Sequence, residues 1–235
     1  MEQSMKKYII ITAGGFGKRM GSSIAKQFLE LGGKAILHLT LERFAKAVPD
    51  SEILLVLPPQ YRQHWKDYCL ERDLRIRHTI VDGGITRFHS VQNAVRIIGD
   101  DGLVAVHDGV RPFVPVEVIS NLFARTEQLL EQGTAAGVVP VMPAIESMRE
   151  IEDSESGRTR AVDRSRYMFV QTPQVFGSGN LKKAYSQAYN PLFTDDASVV
   201  ESAGMKVEVL PGSRYNIKIT TPEDMPLGEF LLNYF

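Results

Sequence analysis

The apolar run Tyr8-Ile9-Ile10-Ile11 leads, through Thr12, into Ala13-Gly14-Gly15-Phe16-Gly17-Lys18-Arg19-Met20-Gly21, and Lys26 follows a few residues later. This junction limits the fold more than any other stretch. A continuous β-branched run bounded by glycines suits a buried parallel strand with apolar neighbours on both faces, expected here over 7–12. The four glycines beyond it permit positive φ and close approach of the backbone to a ligand. Lys18, Arg19 and Lys26 place cations in the same segment, and 13–26 contains no carboxylate. Such a loop suits a polyphosphate, with a solvated surface turn as the plainer alternative on this stretch alone.

The rest of the chain repeats the strand, turn, helix pattern. From residue 34, Leu37, Leu41, Phe44 and Val48 recur at helical spacing until Pro49-Asp50 stops them. A strand over 53–57 ends at Pro58-Pro59, and a helix over 60–73 carries Trp65 and Cys69 as packing residues. A short strand over 79–81 meets the turn signal Asp82-Gly83-Gly84, and the next helix shows Val91, Ala94, Val95 and Ile98 on one stripe. The strand over 103–106 ends in His107-Asp108-Gly109-Val110-Arg111-Pro112-Phe113, charged residues at the edge where open α/β sheets place ligands. A helix over about 116–132, with Val118, Leu122 and Leu129 on its apolar side, and a strand over 135–141 follow. No partner is assigned to His64 or His78.

From 142 to 166 the periodicity gives way to prolines and alternating charge. This is expected to be an extended arm that pairs with a second subunit, or else a surface loop. The sheet resumes over 167–171 and runs into Thr172-Pro173-Gln174, with a helix over 178–188. Thr194-Asp195-Asp196 caps a further helix that Gly204 stops, strands follow over 206–210 and 215–219, and Thr221-Pro222-Glu223-Asp224 opens the last helix with Pro at its first position. The expected fold is α/β: a doubly wound, mostly parallel, Rossmann-like sheet in one domain over 1–235, with an arm at 142–166.

Composition narrows the partners. A net charge of −1 gives no global field for nucleic acid or anionic lipid. Cys69 stands alone, which excludes an intrachain disulfide and a multi-cysteine metal site. The N-terminal apolar run is too short for a signal segment or a membrane span, so a soluble cytoplasmic protein without membrane or nucleic-acid partners is expected. A dinucleotide fold fits poorly, because the third glycine of G-x-G-x-x-G would fall on Met20 and no acid closes the next strand at Leu57-Pro58. A Walker loop fails for want of Gly-Lys-Ser/Thr after the glycines.

The glycine-rich loop resembles the signature of sugar nucleotidyltransferases. Lys26-Gln27-Phe28-Leu29, Gly83-Gly84 with Arg87 and Ser90, His107-Asp108-Gly109-Val110-Arg111-Pro112, Asp163-Arg164, Gln171-Thr172-Pro173-Gln174, Thr194-Asp195-Asp196-Ala197 and Asn216-Ile217-Lys218 follow in the order found in the 2-C-methyl-D-erythritol 4-phosphate cytidylyltransferase family. The resemblance implies transfer of a cytidylyl group from CTP to a polyol phosphate with release of pyrophosphate. That chemistry needs cations more than an activated nucleophile, because an anionic phosphate attacks an anionic phosphorus.

By position, the resemblance implies catalytic roles for Arg19, Lys26 and Lys218. It implies nucleotide contacts at Ala13, Gly14, Gly15, Gly17, Gly83, Arg87, Ser90 and Asp108, and acceptor contacts at Asp108, Arg111, Ser147, Arg164, Thr172 and Thr194. It further implies Mg2+ held mainly by the CTP phosphates with Asp108 nearby, and a homodimer through the 142–166 arm. Ala25, Ile85, Val110 and Glu146-Ser147 depart from the family's usual residues. A cytidylyltransferase for another polyol phosphate, such as ribitol 5-phosphate, and a silent nucleotide-binding regulator are the alternatives.

Overall fold

Strand β1 (Lys6–Thr12) lies in the interior of the sheet, and its side chains alternate between two cores. Ile9 and Ile11 enter one apolar cluster with Ile53, Leu55, Leu103 and Ala105, while Tyr8 and Ile10 enter the other with Leu54, Val56, Val104 and Val106. This explains why the run is apolar without a break: both faces of the strand are covered. Each fully buried isoleucine contributes about 1.5–3 kcal/mol, so truncating one to alanine removes a large part of a typical domain's stability. The computed structural model describes residues 5–14 and 25–235; Gly15, Gly17, Lys18 and Arg19 of the opening loop lie outside the described residues.

A 3-10 turn at Lys26–Phe28 and the short hairpin β2 (Glu30–Leu31) and β3 (Lys34–Ala35) lead into α1 (Ile36–Ala47). The predicted stripe Leu37, Leu41, Phe44 and Val48 is buried in the first cluster. There follow β4 (Glu52–Leu57), α2 (Arg62–Glu71), β5 (Thr79–Asp82), α3 (Arg87–Val95), β6 (Gly102–Asp108) and α4 (Val116–Gln132). Then come β7 (Gly137–Pro143), β8 (Arg149–Asp153), β9 (Arg158–Ala161), β10 (Met168–Val170), β11 (Gln174–Gly177), α5 (Ser178–Tyr185), α6 (Asp196–Ser202), β12 (Val207–Pro211) and α7 (Asp224–Leu231).

The sheet runs β10-β7-β11-β6-β1-β4-β5, with β12 paired to β7. The pairs β1–β4, β1–β6, β4–β5 and β7–β12 are parallel, whereas β11 is antiparallel to both β6 and β7, and β10 to β7. Residues of α1 and α4 line the first cluster and those of α3, α5 and α6 the second, which makes the sheet doubly wound as the alternating pattern predicted. Among the described residues no helix is long and apolar enough to cross a membrane.

Three local expectations change, and one residue left without a partner gains one. Residues 174–177 form a strand inserted between β6 and β7, where the sequence reading ends its strand at 171 and assigns no further element before the helix at 178. The segment 215–219 is not a strand: it is held by single anchors, Ile219 N–H to Val110 O at 2.9 Å and the Asn216 side chain to Thr172 O at 2.7 Å, in place of a ladder. The last helix begins at Asp224, whose Oδ2 accepts the N–H groups of Thr220 and Thr221, so Pro222 precedes it. Trp65 is buried as expected, and its Nε1 donates to His78 Nε2 at 2.9 Å, giving His78 the partner the sequence did not. The excursion over 142–166 contains the two-stranded hairpin β8–β9, which pairs with no strand of the main sheet.

Candidate active site

Thr12 and Asp108 stand opposite each other at the carboxyl ends of β1 and β6, and a cavity of about 300 Å3 opens there. Ala13 and Gly14 line one side, with Lys26 and Gln27 from the turn beyond the loop. Gly84, Ile85, Thr86, Arg87 and Ser90 line the second side, and Asp108, Val110 and Lys218 complete it. A larger cavity of about 530 Å3 lies between α1 and the C-terminal residues, away from the strand ends, so volume alone does not mark the site.

The wall at 83–90 is shaped by the start of α3. Thr86 caps the helix by accepting the His89 N–H. The Ser90 hydroxyl donates to Thr86 O at 2.9 Å and accepts the Gly84 N–H at 3.0 Å, tying the turn to the helix. A Cβ at Gly84 would stand 2.4 Å from His89 Cβ, so the turn has room only for glycine. Gly83 braces the turn from behind through its N–H to Leu57 O at 2.8 Å.

The opposite wall is presented by Asn216. Its buried side chain donates to Thr172 O, and its own carbonyl accepts Arg111 Nη1 at 2.9 Å. With Ile219 tied to Val110, the backbone on both sides of Lys218 is fixed, and Lys218 Nζ reaches Asp108 Oδ2 at 3.0 Å. The same oxygen receives Arg111 Nε at 3.2 Å, while Arg87 Nε stands 3.7 Å from Oδ1. Burial alone would push the Asp108 carboxyl up, but Arg87, Lys218 and Arg111 outweigh it and hold Asp108 well below the usual carboxylate range.

His107 supports this edge from beneath. Its Nε2 lies 3.1 Å from Arg111 O, which only accepts, so Nε2 carries the proton and Nδ1 accepts the Thr172 hydroxyl at 3.0 Å. Thr172 Oγ1 in turn accepts the Asp108 N–H at 3.1 Å. Burial pushes the imidazole down to about 4, so the ring is neutral.

Of the residues singled out in the sequence, Ala13, Gly14, Lys26, Arg87, Ser90, Asp108 and Lys218 meet on the cavity walls. Arg111 and Thr172 stand behind them as braces, and Gly83 lies just outside. Ser147 and Arg164 are on the arm, both exposed, with Arg164 donating to Ile145 O, and Thr194 is exposed ahead of the Asp195 cap of α6. None of these three lines the cavity. Arg19, Gly15 and Gly17 lie outside the described residues. Sequence reasoning gave no role to Gln27, Thr86, His107 or Asn216. The fixed spacing of Asn216 from Lys218, and of His107 from Asp108, was the available signal.

Comparison with known proteins agrees with this arrangement. The family model described as 2-C-methyl-D-erythritol 4-phosphate cytidylyltransferase matches residues 8–234. A protein of that name from Bacteroides thetaiotaomicron is 49% identical over 97% of this chain and 100% of its own length, and one from Bacteroides fragilis is 46% identical over the same shares. Among solved structures, a 4-diphosphocytidyl-2C-methyl-D-erythritol synthase superimposes with a TM-score of 0.79 at 26% identity, covering 98% of this chain and 100% of the other. The Thermus thermophilus 2-C-methyl-D-erythritol 4-phosphate cytidylyltransferase does so with 0.73 at 30% identity over the same shares.

Proposed function

This chain belongs to the 2-C-methyl-D-erythritol 4-phosphate cytidylyltransferase family, and from that premise we propose that it transfers the cytidylyl group of CTP to 2-C-methyl-D-erythritol 4-phosphate. The products are 4-diphosphocytidyl-2-C-methyl-D-erythritol and pyrophosphate, a step of non-mevalonate isoprenoid biosynthesis. The observation that carries the reading is the convergence of Lys26 and Lys218 on one cavity with Asp108, at the ends of adjacent parallel strands. An acceptor phosphate oxygen attacks the α-phosphorus of CTP, the new P–O bond forms, and the bond to the β-phosphate oxygen breaks to release pyrophosphate. Lys26 and Lys218 neutralise the charge that builds on the α-phosphate, where preorganised cations act more strongly than in water. Arg19 shares that role in this reading. The acceptor is already an anion, so no general base is required.

Ala13 and Gly14 on one wall and Gly84 and Ser90 on the other put small residues on both sides of the cavity, which suits a pyrimidine and its ribose. The residues do not suit a protein-built Mg2+ site. No cluster of metal-ligating side chains occurs among the described residues, and Asp108 is faced by Arg87, Arg111 and Lys218, which repel a divalent cation. Mg2+ therefore enters on the triphosphate, as part of the nucleotide substrate.

The acceptor side involves a second copy of the chain. Ile145, Ile151 and the run Tyr167-Met168-Phe169-Val170 are exposed, so β10 is bare on both faces, and Ser147 and Arg164 lie on the same arm. An apolar patch of this kind marks a protein interface. A homodimer that buries it would carry Ser147 and Arg164 toward the neighbouring subunit's acceptor.

The test is pyrophosphate release from CTP with Mg2+ against a panel of polyol phosphates. Turnover is expected with methylerythritol phosphate and not with ribitol 5-phosphate. Preference for ribitol 5-phosphate, or turnover of UTP or ATP as fast as CTP, would overturn the assignment.

A further inference from the structure

Arg87 lines the cavity, and each of its terminal nitrogens already donates one N–H. Nη1 and Nη2 fork onto Asp196, at 3.0 Å to Oδ1 and 2.6 Å to Oδ2. Asp196 is wholly buried at the first turn of α6, and its Oδ1 also accepts the Tyr185 hydroxyl at 2.6 Å. The end of the guanidinium is therefore committed to Asp196. What it offers the cavity is its Nε edge, 3.7 Å from Asp108 Oδ1. Charge alternates along one line, from Asp196 to Arg87 to Asp108 and on to Lys218 and Arg111.

We infer that Asp196, backed by Tyr185, is a positioning residue for the transfer step, acting through Arg87 on Asp108 and so on Lys218. The inference rests on the cytidylyl-transfer reading. An arginine without its carboxylate seeks another that matches its planar fork. The nearest to Arg87 is Asp108, which already orients Lys218 and Arg111. A lysine is a point charge on a flexible stem, so it loses such a contest to a bidentate arginine. With Asp196 in place, Arg87 stays outside it and Asp108 keeps Lys218 beside the reacting phosphate.

The expected signature separates this role from plain packing. In Asp196→Asn the shape and one hydrogen-bonding oxygen remain but the charge is lost, and Arg87 is released into a cavity that becomes more positive. The turnover number falls roughly tenfold while CTP binding is equal or tighter. Adding Arg87→Gln to Asp196→Asn removes the competitor for Asp108, so the double variant turns over faster than Asp196→Asn alone. Tyr185→Phe, which removes a single bond to Asp196, gives a loss in the same direction of roughly threefold.

The experiment measures steady-state kinetics and calorimetric CTP binding for the wild type, both single variants and the double variant, each at equal folded fraction. A double variant no faster than Asp196→Asn, or weakened CTP binding with turnover unchanged, overturns the inference. If Asp196→Asn does not fold, Tyr185→Phe with and without Arg87→Gln decides by the same signs. A wild type inactive on CTP with methylerythritol phosphate would instead overturn the function, and that control is read before any variant.

Discussion

Two arginine–carboxylate pairs in this molecule have nearly the same contact distance and different surroundings. Arg87 meets Asp196 at 2.6 Å with the carboxylate fully buried, whereas Arg160 meets Glu150 at 2.5 Å with the two side chains 63% and 50% exposed. The first pair joins residues 109 apart in sequence and lies one contact from Asp108 on the cavity wall; the second joins residues 10 apart across the β8–β9 hairpin. Distance does not rank them. Burial removes water and screening, so breaking a buried pair strands a charge, while an exposed pair already shares its charge with solvent. The pocket thus rests on long-range ties to the buried carboxylates Asp196 and Asp108, and the hairpin on local surface ones.

The largest effect expected from this contrast is at the two cavity lysines that the proposed reaction sets against the α-phosphate. Replacing Lys26 or Lys218 with alanine should lower turnover by roughly 10²–10³, the scale of removing one preorganised charge-stabilising donor. Steady-state assays with saturating CTP measure it. A Lys218→Ala enzyme within threefold of wild type would mean that Asp108 and Lys218 form a surface-like pair despite the burial of Asp108.

Next comes the pH dependence of the buried edge. His107 is held neutral, its pKa pushed from the ordinary value near 6.5 down to about 4 by burial. Between those values the unfolded chain takes up a proton that the folded chain refuses, so stability is full above about 6.5 and falls as the pH drops toward 4. At about 1.4 kcal/mol per unit, lowering the pH from 7 to 5 removes about 2 kcal/mol through this group. His107→Gln offers Thr172 an acceptor and Arg111 O a donor without titrating, and should flatten that loss. Denaturant melts of both proteins at the two pH values measure it, and equal losses would show that His107 is not the group responsible.

Most of the scaffold was legible because it is periodic. Alternation put Ile9 and Ile10 on opposite faces of β1, and helical spacing put Leu37, Leu41 and Phe44 in one core, so local pattern and burial agree. The motifs also brought Lys26, Asp108 and Lys218 to one place. What escaped was set by partners distant in sequence. Strand β11 is four residues after a proline, too short for a period, and exists because β6 and β7 flank it. Asn216 sits in a short β-branched segment that reads as a strand, but its side chain is bonded to Thr172 O and its carbonyl to Arg111. Nothing near Arg87 in sequence announces Asp196, because the tie crosses from α3 to α6.

The smallest effect is expected on the arm, and it tests the other half of the contrast. Glu150→Gln breaks the pair with Arg160 but leaves both side chains in water, so the stability of the isolated protomer should change by less than about 0.5 kcal/mol. Arg160 also lies 4.0 Å from Glu152, which keeps its charge compensated after the substitution. A urea melt of dilute protein at moderate salt is the measurement, repeated at a concentration where the proposed dimer forms. A loss above 1 kcal/mol only at high concentration would mean that the second copy buries this hairpin, turning Arg160–Glu150 into a pair of the Arg87–Asp196 kind. The same loss in the dilute protein would break the contrast itself, since solvent exposure within one chain would then no longer tell the two pairs apart.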